Sequence, residues 1–385
     1  MSGNRYPLRK IRKILSFAFL LILLSVFAVI IASLILGYGF PPSWILNIFS
    51  RRVSPITVNE FSFDIGRANT FANLDGSVAA AGTLGIKVLD AGGIETLREP
   101  LRFIEPAISS YGNRCIAYDL GGTSIRVFEK TQVISTLETS STIISASLNH
   151  NGWFCVVTQG TGNFKGTVAV YNNAGDNVYR VNLATGYALS TQLSYDNKTL
   201  AILTLAETGS RILYYNLDSE DDPAFIYELI DGLIIDIVYL RNGNVLALST
   251  DSLFIVDNAG SGTDLYTFID KRLGSYTINN DFIALHLYDH GLGHRGRLIT
   301  LLIDGTVLGE LSLDREIISM SAFNSSLIIL RNDGVAFFNK ELEEFEASID
   351  NISAAGASMV LAVREDTALA TSDNSAVVIR REEER

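Results

Sequence analysis

The sequence predicts an all-β chain: an eight-bladed β-propeller, with seven blades as the alternative, preceded by one transmembrane helix. Three observations carry this reading. Residues 14–36 run without a charge. From residue 57 onward, short alternating apolar runs are separated by tight-turn dipeptides. One of those runs recurs about every 40 residues, the spacing of a four-stranded propeller blade.

The apolar run comes first in the chain. Ile14 to Leu36 is interrupted only by Ser16, Ser25 and Ser33. As a helix rising ~1.5 Å per residue it spans the ~30 Å hydrocarbon core of a bilayer. Arg5, Arg9, Lys10, Arg12 and Lys13 precede it without an acid, which keeps the N-terminus cytoplasmic and exports the rest. A cleaved signal peptide is the rival, but its apolar stretch is ~7–15 residues and ends in a small-x-small site. Here the stretch is longer and runs into Gly37-Tyr38-Gly39-Phe40-Pro41-Pro42. An uncleaved anchor is therefore expected, with Tyr38 and Trp44 at the outer interface.

Past residue 56 the pattern changes to period-two alternation broken by Asp75-Gly76, Gly92-Gly93, Gly121-Gly122, Asn151-Gly152, Asn242-Gly243, Asp304-Gly305 and Asp333-Gly334. Gly, Asn and Asp reach positive φ at low cost, so these pairs mark hairpins. One phrase, apolar-x-apolar-apolar closed by a polar residue, repeats through them. It reads Ile86–Asp90, Ile125–Glu129, Val168–Asn172, Ile212–Asn216, Leu253–Asp257, Thr300–Asp304 and Val335–Asn339, with a weaker eighth copy at Ala376–Arg380. The closing residues are 39, 43, 44, 41, 47 and 35 apart.

The last unit has room for only three strands before the charged tail 381–385. Thr57–Ile65, apolar at Val58, Phe61, Phe63 and Ile65, is expected to supply the fourth and close the ring. Closure removes the free sheet edges that an open array exposes. The expected organisation is a basic cytoplasmic tail (1–13), a signal-anchor helix (14–36), a juxtamembrane linker (37–56), the propeller (57–380) and the tail (381–385).

The repeated phrase behind a single membrane helix resembles the bacterial membrane-anchored propeller families of unknown function, distantly akin to WD40 and quinoprotein-type propellers. The chain departs from both relatives: no Trp-Asp closes a blade, no Gly-His opens one, and Trp153 is the only tryptophan in the ring. The resemblance implies a fold and a location, and no activity.

Composition narrows the function further. Residues 51–385 carry 25 basic and 42 acidic side chains, a net −17, which argues against binding duplex nucleic acid through basic patches. Two cysteines exclude a four-cysteine metal site. Cys115 and Cys155 lie one blade period apart and are expected to be buried thiols, because stacked sheets ~10 Å apart do not bring Cα atoms within the ~7 Å a disulfide needs. No nucleophile elbow, dinucleotide fingerprint or phosphate loop is present.

No catalytic residue, cofactor or resident metal is expected. The residues that come nearest to a metal site are His286, Asp289, His290 and His294, since imidazole with carboxylate suits Zn²⁺ or Ni²⁺. The competing reading is a polar hairpin shaped by Gly291, Gly293 and Gly296. His150, in Asn149-His150-Asn151-Gly152, reads as a turn residue.

Three loops between second and third strands look longer than the rest: Gln159–Gly166, Glu207–Ser210 and Tyr288–Arg297. They share one face of the ring and bring Phe164, Lys165, His290, His294, Arg295 and Arg297, a locally basic rim expected to meet a partner. The functional expectation is a non-enzymatic scaffold or sensor of the cell envelope, held at the plasma membrane by residues 14–36 in the bilayer. Its propeller would be extracytoplasmic and would bind an envelope protein or polymer. The alternative is an enzyme with a metal- or cofactor-dependent site at the central mouth, which needs no linear motif.

Overall fold

In a computed structural model, the described residues are 53–54, 58–219, 222–289, 296–345, 356–373 and 375–383. The expected basic tail, anchor helix and nearly all of the linker lie outside them. Among the described residues no helix is long and apolar enough to cross a membrane.

Residues 53–382 form one compact unit built from antiparallel meanders, and there are eight. Blades 1 to 8 span 70–100, 106–138, 143–183, 187–230, 234–267, 271–313, 317–345 and 359–380. The repeated phrase is the third strand of every blade, as in Gly85–Leu89, Gly166–Tyr171 and Ser375–Arg380. In blade 6 the phase differs from the expected one. The strand Gly296–Leu301 ends earlier, and the hairpin is closed by Leu302, with Asp304 accepting the Thr306 amide at 2.9 Å inside the turn. Asp304-Gly305 is the turn itself rather than the end of a strand.

The expected closure is present. Val58–Ser62 is the fourth strand of blade 8, antiparallel to Ser375–Arg380 with Val58 opposite Ile379 and Ser62 opposite Ser375. Seven of the eight blades thus have four strands. Among the described residues blade 7 has three, and a single bridge between Phe338 and Glu344 stands where its fourth begins.

The core is divided into eight apolar layers, one between each pair of neighbouring blades. Phe71, Val78, Leu369 and Val378 belong to the layer that joins blade 8 to blade 1. At ~1.5–3 kcal/mol for each large side chain buried, every layer is a substantial stabiliser, and none is complete without both its blades. Cys115 sits in the layer between blades 1 and 2, and Cys155 in that between blades 3 and 4. Both are free and buried, and the layer between blades 2 and 3 stands between them. Burial pushes both thiols well above the ordinary range.

First strands of successive blades adjoin around the ring, so they line its centre. In blades 3 to 7 each carries a β-bulge at the same place, directly before Ser145, Ser190, Asp236, Ser275 and Ser319. A bulge adds a residue and re-aims the next side chain. In two blades it turns a polar group toward the next: Asp236 accepts from the Tyr276 hydroxyl at 3.2 Å, and Ser319 from the Val360 amide at 3.2 Å, whereas the buried hydroxyls of Ser145, Ser190 and Ser275 have no hydrogen-bond partner among the described residues.

Candidate functional site

A four-stranded meander returns twice to each end of its blade. Turns between strands one and two, and between three and four, share one face of the ring, the hairpin face. Turns between strands two and three share the opposite face with the connections from blade to blade, the crossover face.

Exposed apolar side chains are concentrated on the crossover face. Leu84, Ile104, Phe164, Tyr187, Leu205, Ile230, Leu233, Ile235, Ile269 and Ile318 all stand there, against only Ile94, Val178, Ile226 and Val307 elsewhere among the described residues. Ile104 is 83% exposed, and Ile230 and Ile269 are each 66% exposed. All but Ile318 come from blades 1 to 5 or the connections that leave them. The same face carries ion pairs among its described residues: Arg126 with Glu138 and Arg211 with Glu228 in blades 2 and 4, and Lys271 with Asp289, and Arg315 and Arg331 with Asp333, around blades 6 and 7. The described exposed apolar side chains therefore form an arc over blades 1 to 5. Scattered exposed apolar residues are ordinary, but an accumulation on one face marks an interaction surface.

The residues expected from the sequence distribute unevenly over this geometry. Phe164 is 42% exposed and belongs to the arc. The Lys165 ammonium lies 5.4 Å from the ring centroid of Tyr187, its neighbour on the arc. Arg297 is paired with Glu310 at 2.7 Å. His290, His294 and Arg295 lie outside the described residues. Glu207–Ser210 is not a long loop: Ala206 pairs with Gly209 and leaves a two-residue turn between two strands of eight residues. The Gly209 backbone at φ 139° suits that tight reversal, and Gly209 and Ser210 are already strand.

His286 is fully buried within Ile283–Asp289, whereas Asp289, three residues on, is exposed and engaged by Lys271. Side chains three apart on a strand point to opposite faces, so the two are not brought together. Room for the imidazole comes from glycines on both neighbouring strands. A Cβ on Gly296 would stand 2.8 Å from Nε2, and one on Gly274 would stand 3.1 Å from Nδ1. Burial lowers the imidazole pKa to about 4.

The hairpin face holds a cluster that the sequence did not announce. First-to-second-strand turns of blades 2, 3, 4, 5 and 6 contribute Tyr111, His150, Tyr195, Arg241 and Asn280. The Tyr111 and Tyr195 hydroxyls are 3.0 Å apart, and the Tyr195 hydroxyl donates to Asn280 Oδ1 at 3.4 Å. The His150 ring lies 4.6 Å from that of Tyr195, and the Arg241 guanidinium 5.8 Å from it. Burial and the Tyr111 hydroxyl push the Tyr195 phenol up to about 12, against the opposing pull of Arg241. From this cluster a groove of about 690 Å³ runs between blades 4 and 5, past Tyr239 and Asn242 to Asn216 and Asn258. The forewarning was one aromatic or basic residue in the same hairpin of four successive units, Tyr111, His150, Tyr195 and Arg241.

A closed ring of eight meanders, with polar bulges at its centre and an apolar arc on one face, defines a β-propeller whose recognisable surfaces lie at its two faces. The chain belongs to a family of unknown function (DUF5711), whose model matches residues 55–351. No curated protein matches it significantly. Among solved structures it is similar to BamB from Moraxella catarrhalis (15% identity, 86% of this chain and 99% of that one, TM-score 0.53). It is also similar to the C-terminal WD40 domain of Sif2 (14%, 86% and 99%, TM-score 0.58). A third similar structure is the quinohemoprotein alcohol dehydrogenase ADHIIG from Pseudomonas putida HK5 (11%, 87% and 79%, TM-score 0.55). At these identities the likeness is one of fold.

Proposed function

We propose that this protein is a membrane-tethered, extracytoplasmic binding scaffold of the cell envelope, and that the apolar arc of the crossover face docks a protein partner. The observation that carries this reading is the concentration of exposed apolar side chains, Ile104, Ile230 and Ile269 foremost, on one face. Leaving so many apolar groups in water on one side of a soluble ring is costly unless a partner covers them. Phe164 and Lys165 lie within the arc, and His290, His294, Arg295 and Arg297 are its proposed basic flank.

The tether supports a protein rather than the anchoring bilayer as the occupant. Val58 pairs with Ile379 at the hairpin-face end of blade 8, so the chain joins the ring on the side opposite the arc. The uncharged run 14–36 and its five preceding cations are the basis for the membrane tether and its orientation.

A photo-crosslinking residue at position 104 or 230 of the full-length protein, in intact envelopes, tests the reading. A discrete protein adduct from both positions, absent with the crosslinker at 178 and lost in an Ile104→Glu, Ile230→Glu, Ile269→Glu variant, is expected. Adducts to lipid alone, or none, contradict it.

A further inference from the structure

We infer that the groove between blades 4 and 5 on the hairpin face binds an uncharged glycan segment, with Tyr195 and Arg241 at its inner end as principal contacts. At about 690 Å³ it lies within the ~300–1,000 Å³ range of pockets that hold small ligands, and it is open along its length, as a polymer requires.

Among its described lining residues the charges balance: Lys198 and Arg241 share the groove with Asp196 and Asp218. A phosphate-rich or polybasic ligand would meet two like charges beside every two opposite ones, and neither would be concentrated there. The polar lining equally disfavours a purely apolar ligand, whose burial would strip water from amides without replacing it.

What the groove offers is fixed amide groups. Asn216, Asn242 and Asn258 line it, and the Asn216 and Asn242 carbonyls each accept a backbone N–H, from Asp218 at 3.0 Å and Asn244 at 3.1 Å, which holds their NH₂ donors in place. Vicinal sugar hydroxyls, each both donor and acceptor, match that arrangement. Arg241 adds a planar fork of donors. It has no carboxylate partner among the described residues and rests near the Tyr195 ring, available to a ligand.

The inner end is also pre-organised. The Tyr195 ring is held by His150 on one side and by its hydroxyl contacts to Tyr111 and Asn280. That fixed aromatic edge gives the C–H surface of a sugar ring something to pack against without ordering new side chains, and Phe225, stacked on Tyr214, adds an apolar surface toward the outer end of the groove.

The test titrates the full-length protein in detergent micelles with cellotetraose and chitotetraose, and separately with tetra-alanine and inorganic phosphate. Saturable binding of at least one tetrasaccharide is expected, with neither other probe competing. Arg241→Met and Asn258→Ala should each weaken it about tenfold at an unchanged melting temperature. Ile104→Glu, on the opposite face, should leave it unaltered, which separates this site from the docking arc. Binding of neither tetrasaccharide, equal binding by all variants, or stronger binding of the peptide or phosphate would overturn the inference.

Discussion

The hydroxyls of Tyr111 and Tyr195 meet at 3.0 Å although blade 3 separates the blades that carry them. The contact is possible because first-strand turns converge at the ring's centre, where residues two blades apart come within side-chain reach. His150, on the intervening blade, fills the space beneath by packing on Tyr195.

That pair should couple measurably. Tyr111→Phe and Tyr195→Phe each remove a hydroxyl that bonds the other. In a double-mutant cycle read by urea unfolding, a coupling of about 0.5–1.5 kcal/mol is expected. Strict additivity would mean the hydroxyls meet water rather than each other.

Ring closure depends on Val58–Ser62. A chain beginning at Gly66 loses the fourth strand of blade 8 and exposes the edge of Ser375–Arg380. It also loses Phe63 and Ile65 from the layer between blades 8 and 1. Compared with a chain beginning at Ser54, it should aggregate or melt well below it in scanning calorimetry. Equal melting temperatures would show that the ring closes without the strand.

Blade 7 carries a conformational cost that its neighbours avoid. Third-to-fourth-strand hairpins in blades 1, 3, 5 and 6 place Gly93, Gly175, Gly260 and Gly305 at positive φ, and blade 7 places Leu342 there at 63°. Leu342 compensates by burying its side chain in the layer between blades 6 and 7. Leu342→Ala should therefore cost about 2–5 kcal/mol, because the cavity is created and the backbone cost stays. Leu342→Gly, which relieves the backbone, should be more stable than the alanine variant by about 1 kcal/mol, reversing the usual order. Chemical denaturation of the two variants decides it, and an alanine variant more stable than the glycine one would contradict it.

His286 makes stability depend on pH. Its folded-state pKa is lowered to about 4 by burial. The unfolded chain therefore binds more protons between there and about 6.5. Its contribution is complete above that range and is lost as pH falls, by about 2 kcal/mol between roughly pH 7.5 and 5. Asp236, whose carboxyl is raised by burial, acts with the opposite sign and is untouched by substitution at 286. His286→Leu should flatten the pH dependence of the urea midpoint over that interval. An unchanged slope would show that the imidazole protonates in the folded protein.

How much of this was legible in the sequence depends on where each strand sits. Third strands are interior to their sheets and buried on both faces, so Ile86–Leu89 and Leu253–Val256 read as clear apolar phrases and gave the period. First strands repeat as well, in Ile143-Ile144-Ser145, Ile234-Ile235-Asp236 and Ile317-Ile318-Ser319. The bulge breaks their alternation and hides them. Of the apolar arc only Phe164 was legible, from the length of its loop, since an isoleucine in a blade-to-blade connection, such as Ile104 or Ile269, looks like core until the fold leaves it in water. The hairpin-face cluster takes one residue from each of five blades, and nothing local links them.

Cys115 and Cys155 are buried, so a cysteine introduced at the surface can be labelled selectively. The most direct measurement compares Ile104→Cys on the crossover face with Ile94→Cys on the hairpin face, using a membrane-impermeant maleimide on intact cells and on detergent-solubilised protein. Ile94→Cys should label readily in both. Ile104→Cys should be protected in cells and become as reactive as Ile94→Cys once the protein is purified away from its partner. Equal labelling of the two positions in intact cells would contradict a covered docking face, and no labelling of either would contradict an extracytoplasmic propeller.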